Sequence, residues 1–282
     1  MINYKIKKIL VPFDFSNSSL NALKVADKFA NEFNAKIHLL NIIEPFLSQE
    51  PARFNSGQLA NMYKYKIESA EAVEDYILKN FINPSAYSYQ TCYGFCSSTI
   101  IDFAKNDEYD LIVLPDDSKS FFSRVISKYR PLKIMEQTNI PVICVNKFYR
   151  TVDFRNIIIP IRNLANWYEK IPFMVALAKQ TGGKIHAIGM NEKSSSSNSD
   201  FDLIFDKAIS ILEEQNVLST VKRFEGETSL KELIAYSEKQ KADLIAITPS
   251  KSKTLLTSII YPSLYSRLIF NSPAPVFGVQ LS

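Results

Sequence analysis

Few side chains in this sequence are of types that do chemistry, and their spacing narrows the choices further. The 282 residues include two histidines and three cysteines. His38 and His186 sit in matching segments, Lys36-Ile37-His38 and Lys184-Ile185-His186. One histidine per segment supplies neither a metal cluster nor a nucleophile–base pair, so each reads as a packed strand residue. Cys92-x-x-x-Cys96 is spaced unlike a Cys-x-x-Cys redox pair or a paired zinc motif. Cys96 stands just before a predicted helix, a place that can lower a thiol pKa and make it redox-sensitive; a structural thiol is the alternative. Asp14 follows a short apolar run. It suits either the reading of a ligand hydroxyl or the capping of the following helix or its loop, where the N-terminal dipole favours negative charge. No Walker motif, nucleophile elbow or acid–base pair occurs, so no catalytic residue, metal or enzyme activity is expected.

The elements that would position these residues repeat. Residues 7–42 align without a gap on residues 155–190: Ile9 falls on Ile157, Pro12 on Pro160, and His38 on His186. After a shorter connection, Gly94 matches Gly226, Asp110-Leu111-Ile112 matches Asp243-Leu244-Ile245, and Pro141-Val142 matches Pro275-Val276. Two copies of one unit are joined head to tail, with domains expected at 1–148 and 153–282. In the first, Ile6–Val11, Ala35–Ile43, Tyr87–Tyr93, Tyr109–Leu114 and Ile140–Val145 read as strands. Helices are expected after Ser16 as N-cap, over Ser56–Phe81, over Ser98–Lys105 and around Leu132–Glu136. The second has strands at Asn156–Ile161, Lys184–Met190, Ser219–Phe224, Asp243–Ile247 and Pro275–Val279. Its helices are expected at Trp167–Gln180, Phe201–Glu214, Leu230–Gln240 and Leu264–Phe270, with Ser194–Ser199 a flexible loop. Strands alternating with helices predict an α/β fold with a parallel sheet covered on both faces.

Composition excludes several classes. A hydrophobic share of 46% with 22% charged residues is that of a soluble globular chain. No apolar run reaches the roughly 18–20 residues a spanning helix needs, and residues 1–8 lack a signal-peptide pattern. A cytoplasmic location is therefore expected, and the scarcity of cysteine suits a reducing compartment. The net charge of +4 is small and spread out, which argues against a nucleic-acid surface. Lys119, Arg124, Lys128, Arg130 and Lys133 form a modest basic cluster, read as solvated surface with anion or partner contact as the alternative. Tyr63, Tyr65, Tyr76, Tyr87, Tyr89 and Tyr93 are spaced for packing rather than for base stacking.

Ile9-Leu10-Val11-Pro12-Phe13-Asp14-Phe15-Ser16 resembles the opening signature of the universal stress protein family. Ile42-Ile43-Glu44-Pro45, Gly94 with Ile100-Ile101-Asp102-Phe103-Ala104, Asp110-Leu111-Ile112-Val113 and Ile140-Pro141-Val142 resemble its later motifs in order. The resemblance implies two Rossmann-like repeats of the adenine nucleotide alpha hydrolase-like kind. Each would be a five-stranded parallel sheet flanked by helices, and the two would form an intramolecular pseudo-dimer through the fifth strands. It also implies ATP binding in some members. There the first-strand aspartate faces the nucleotide, the second-strand end meets adenine, and a Gly-x-x-Gly-(nine residues)-Gly-Ser/Thr loop holds ribose and phosphates.

Here the sequence departs from the binders. Glycines let backbone N–H groups approach phosphates closely, and the loops after the fourth strands contain none. The first repeat reads Pro115-Asp116-Asp117-Ser118, with Lys128-Tyr129 at the later Gly-Ser position. Two such carboxylates about 4 Å from a triphosphate charge oppose it by roughly 1–4 kcal/mol each, depending on dielectric. The second repeat reads Thr248-Pro249-Ser250-Lys251-Ser252-Lys253, with Ser263 near the later position and Arg162 in place of the aspartate. An arginine cannot accept a hydrogen bond, but it can pair with a phosphate or carboxylate. The pockets thus read as degenerate, the second more so. Candidate ligand positions are Phe13, Asp14, Ile42 and Ser118 in the first repeat. In the second they are Arg162, Met190, Thr248, Ser250, Lys251 and Ser263. The expectation is a non-catalytic stress-response protein that binds or signals through an unidentified protein partner, with no cofactor. ATP or another anionic small molecule is the alternative ligand, a nucleotide hydrolase ranks last, and further homodimerisation stays open.

Overall fold

A strand whose side chains are apolar in both directions must be covered on both faces, and this requirement shapes the molecule. The computed structural model describes residues 4–44, 68, 70–79, 86–106, 108–116, 129–146, 153–162, 166–191, 198–225, 229–248 and 264–279. Its strands are β1 (Lys8–Pro12), β2 (Lys36–Ile43), β3 (Tyr87–Tyr93), β4 (Leu111–Pro115), β5 (Val142–Val145), β6 (Asn156–Ile161), β7 (Lys184–Asn191), β8 (Ser219–Glu225), β9 (Leu244–Ile247) and β10 (Val276–Gly278). They form one ten-stranded sheet in the order β3-β2-β1-β4-β5-β10-β9-β6-β7-β8. Every pairing is parallel except that of β5 with β10, where Cys144, Ile143 and Val142 lie opposite Val276, Phe277 and Gly278. The fold is thus α/β with a mostly parallel sheet.

The helices are α1 (Asn17–Phe33), α2 (residues 70–79), α3 (Cys96–Asn106), α4 (Pro131–Thr138), α5 (Ile171–Thr181), α6 (Asn198–Glu214), α7 (Ser229–Lys239) and α8 (Leu264–Asn271). Alternation along each strand sends side chains to two separate cores. Ile9, Val11, Ile157 and Ile159 face a core shared with Ala26 of α1, Val73 of α2, Val175 of α5 and Phe205 of α6. Leu10, Ile112, Ile158 and Ile245 face another, built with Ile100 of α3, Met135 of α4, Leu233 of α7 and Leu268 of α8. Both cores run beneath β5 and β10 without interruption. On the first, Phe29 of α1 lies 4.2 Å from Phe154 and 6.0 Å from Phe173 of α5, and Phe173 lies 4.4 Å from Phe277 of β10. On the other face Asn146 donates its side-chain N–H to the Ser272 carbonyl at 2.6 Å.

Local chemistry sets the ends of the elements. Ser16 caps α1, its hydroxyl accepting from the Ser19 N–H at 3.1 Å, and Asn34 ends it in the left-handed region. Gly182 ends α5 in the same conformation. The paired aspartates act as staples between strands. Asp110 accepts from the Lys7 and Lys8 N–H groups, and Asp243 from those of Arg155 and Asn156.

Most element boundaries differ from the sequence expectation by at most two residues. The helix expected from Trp167 instead starts at Ile171, after a turn over Asn166–Lys170 in which Ile171 N–H bonds the Tyr168 carbonyl at 2.9 Å. Pro172 explains this, since in the first turn its missing N–H costs nothing, whereas deeper in a helix its ring would clash with a carbonyl. The loop expected over Ser194–Ser199 gives way at Asn198, where α6 begins, with Asp200 in the first turn favoured by the helix dipole. Residues 194–197 and most of the helix expected over Ser56–Phe81 lie outside the described residues.

Each side of the β5–β10 pairing rests on packing that a cut in residues 148–152 leaves intact. Cleavage at a protease site inserted there is expected to give two fragments that co-elute on size exclusion. Separation of the fragments under native conditions would show that the pairing depends on the covalent link.

Candidate functional site

Open α/β sheets bind ligands beyond the carboxyl ends of strands where the strand order reverses. This sheet reverses twice, between β1 and β4 and between β6 and β9. In the first crevice Asp14 follows β1, and its carboxylate accepts from the Ser16 N–H at 3.1 Å. Its own N–H donates to Ser19 Oγ at 3.4 Å, and Ser19 Oγ–H donates to the Ser16 carbonyl at 3.0 Å. Asp14 is therefore engaged in the turn that launches α1, as the capping alternative expects. Phe15 holds this turn in the left-handed region (φ 62°) and stands edge-on to Phe13 at 4.9 Å. Phe13 is buried in the first core, while its carbonyl accepts from Asn41 Nδ2 at 2.8 Å.

Asn41 on β2 and Thr91 on β3 are register partners near the carboxyl ends of their strands, and both are buried. Asn41 Oδ1 and Thr91 Oγ1 have no hydrogen-bond partner among the described residues. Leaving such an atom unsatisfied costs about 1–3 kcal/mol, so this strand end is a costly place by stability alone. Ile42 faces the opposite core beside Cys96. Asp116 after β4 is buried and its N–H donates to the Val145 carbonyl. Tyr129, at the position where the resemblance implies a glycine–hydroxyl pair, is buried in the second core.

The second crevice has the opposite character. Arg162 follows β6 and is half-buried. Lys170 closes the turn before α5 with only 2% of its surface exposed. Its Nζ donates to the Trp167 carbonyl at 3.0 Å and to Thr248 Oγ at 3.1 Å, at the end of β9. Burial, reinforced by the Arg162 charge and only partly offset by Glu169, pushes the Lys170 pKa down to about 7. Glu169 is itself buried and accepts from Asn166 Nδ2 at 3.2 Å. Met190, at the end of β7, points into the second core. Gly189 beside it lies under α6, where an added Cβ would come within 2.9 Å of the Phe205 ring. The Phe201–Phe205 stack thus covers the strand end that Asn41 occupies in the first half, and Arg223 lies 4.6 Å over Phe205.

Among the residues expected to meet a ligand, Arg162 and Thr248 converge on the second crevice, and Asp14 and the Phe13 carbonyl line the first. Ile42 and Met190 face the second core, and Ser118, Ser250, Lys251 and Ser263 lie outside the described residues. So do Lys119, Arg124 and Lys128 of the basic cluster, and Tyr63 and Tyr65. Cys96 proves to be the buried first residue of α3 rather than a residue ahead of it, and its N–H donates to Glu44. Its thiol is shielded by packing, which removes the geometry expected of a redox sensor. Both histidines are packed in strands, His38 against Tyr109 Oη at 2.6 Å and His186 against Tyr236 and Thr220. Burial and the Lys184 charge lower the His186 pKa. Sequence reasoning missed Lys170, Asn41 and Thr91. For Lys170 a signal existed, since it falls on the apolar position of Ala22 in the gapless alignment.

Two outcomes follow. Gly189→Ala drives a methyl against rigid rings and is expected to cost about 1–3 kcal/mol in urea denaturation. For Lys170, the folded value near 7 lies below the unfolded value of about 10.4. Between them the unfolded chain holds a proton the folded chain has released, so stability rises with pH across that window. Below pH 7 the penalty for burying the charge is present in full. Lys170→Met is expected to flatten the rise, read as the difference in urea midpoints between pH 7 and pH 10.

Comparison with known proteins agrees with this architecture. Residues 5–146 match the model of the Universal stress protein family. A universal stress protein of Methanocaldococcus jannaschii is 27% identical over 145 residues, which cover 50% of this chain and 82% of that protein. The crystal structure of a universal stress protein from Archaeoglobus fulgidus superposes with a TM-score of 0.76 at 17% identity, covering 99% of this chain and 98% of that one. A putative universal stress protein from Pseudomonas aeruginosa superposes with a TM-score of 0.59 at 14% identity, covering 97% and 93%. The structural likenesses speak to fold alone. The family match spans half of the chain, and the chain therefore belongs to the universal stress protein family.

Proposed function

We propose that this chain is a tandem universal stress protein. In this reading two Rossmann-like repeats, 1–148 and 153–282, are paired as an intramolecular pseudo-dimer through β5 and β10. It acts without catalysis in the cytoplasm as a stress-response binding or signalling protein with degenerate nucleotide pockets. The antiparallel β5–β10 pairing, flanked by the mirrored orders β3-β2-β1-β4 and β9-β6-β7-β8, is the observation that carries the tandem reading. The pocket reading is supported by the absence of glycine from the segments joining β4 to β5 and β9 to β10, by buried Tyr129, and by Asp14 being engaged in its own turn. A protein partner is the expected target of binding.

A second reading is that one pocket senses an anionic small molecule. Arg162 and buried Lys170 at the β6–β9 crevice favour it, because they bring two basic side chains to the place where α/β sheets bind ligands.

Calorimetry with ATP, ADP and AMP, together with mass spectrometry of small molecules released from purified protein, separates these readings. The leading one expects no micromolar nucleotide binding and no turnover. Micromolar ATP binding that disappears in Asp14→Ala would overturn it.

A further inference from the structure

Among the described residues the sheet ends on β3 at one side and on β8 at the other. An edge strand offers a row of backbone N–H and C=O groups to any strand beside it, and charged side chains are a common protection against such pairing. β8 carries Lys222, Arg223 and Glu225. β3 reads Tyr-Ser-Tyr-Gln-Thr-Cys-Tyr, without a charge, a proline or a glycine, and rich in residue types that favour strands. The register fixes which of its groups point outward. The Gly94 N–H donates to the Ile43 carbonyl of β2, so by the parallel alternation Gln90 and Cys92 also bond β2. Tyr89 and Thr91 then turn their N–H and C=O groups away from β2. Among the described residues nothing bonds the Tyr89 or Thr91 main chain on that side, and Thr91 Oγ1 has no partner either. Ser88 and Gln90 are exposed.

We propose that β3 pairs antiparallel with β3 of a second copy of this chain, joining two sheets edge to edge as β5 and β10 are joined within one. A second copy is the occupant because the strand is complementary to its own reverse. With the two-fold axis at Gln90, Tyr89 stands opposite the second copy's Thr91, and Thr91 opposite its Tyr89. Each of these pairs exchanges both N–H···O bonds, so the outward groups of all four residues are satisfied. Gln90 faces its own equivalent, two neutral amides that donate to and accept from one another. Further out Tyr87 meets Tyr93, an aromatic cross-strand pair formed twice. No like charges meet along the strand, which is what distinguishes β3 from β8. Leu78 and Phe95 are both exposed. Leu78 lies one turn of α2 beyond Glu74, the residue that accepts from Tyr89 Oη at 2.9 Å, and Phe95 stands just past the end of β3. Antiparallel pairing sets the start of one strand beside the end of the other, so these two apolar groups flank the same contact. The pairing involves the outer edge and stands apart from both readings of the pockets.

Sedimentation velocity of the full chain over about 5 to 200 µM tests the proposal. A shift from one chain to two with rising concentration is expected. A single chain throughout, or growth past two chains, would overturn it. Gln90→Lys and Gln90→Glu alter an exposed side chain whose main chain stays bonded to β2, and circular dichroism checks that each variant folds. Each is expected to weaken the dimer by about fivefold or more, since like charges then face each other across the axis. An equimolar mixture of the two should recover association, because opposite charges face each other in the mixed dimer. Unchanged association in either variant, or no recovery on mixing, would place the contact elsewhere and end the proposal. Hydrogen exchange of the unaltered protein needs no variant. The Tyr89 and Thr91 amides should exchange more slowly as concentration rises, and unchanged exchange there while dimers form would equally overturn the pairing.

Discussion

Pairing between β5 and β10 is the constraint on which the rest of the molecule depends. A run of five parallel strands ends on an edge whose N–H and C=O groups need partners. Here the edge formed by β5 meets the edge formed by β10, and each satisfies the other. Beneath that seam Phe277 packs on Phe173, Phe173 on Phe29, and Phe29 on Phe154, so α1 and α5 are held against one another through the first core. Phe154 takes a left-handed backbone (φ 53°) to reach this cluster, an unusual conformation for a bulky side chain. Its near-complete burial shows what offsets the strain. Because α1 and α5 each begin at a crevice, the seam also fixes where Asp14 and Lys170 stand.

The two crevices share a frame and differ in chemistry. Asp14 and Asp116 stand in the first, and Arg162, Lys170 and the buried Glu169 in the second. At the end of β2, Asn41 keeps a polar side chain. At the end of β7, Gly189 gives the space to Phe205, which closes that strand end with an aromatic ring under Arg223. The frame thus recurs in the two halves while the side chains at corresponding positions differ.

Much of the fold was legible because aliphatic runs such as Ile157–Ile161 and helical patterns such as Leu20 to Phe33 carry their own period. The internal alignment also doubled each signal. The start of α5 was misjudged because Trp167, Met174 and Leu177 fit a helical face, and the effect of Pro172 on the preceding turn outweighed that pattern. The site was less legible, for a different reason. Arg162 and Asp14 could be found because they follow strand ends, whereas Lys170 looks like a surface lysine until the packing around it is known. Asn41 and Thr91 lie fifty residues apart in sequence and become a pair only through the β2–β3 register. Chemistry created by tertiary contact leaves little trace in local spacing.

The seam has a consequence for how such a molecule can change. When two identical chains pair through an edge strand, each substitution enters both partners at once, and a residue that suits one site must be tolerated in its twin. Here the two sides of the seam belong to one polypeptide, at fixed one-to-one stoichiometry and without a concentration at which they part. Under the proposed tandem reading, a lysine at position 170 can stand where the first half has Ala22 and leave the first half as it was. On the proposed tandem reading, covalent continuity across the β5–β10 contact lets two related pockets be inherited together and altered one at a time.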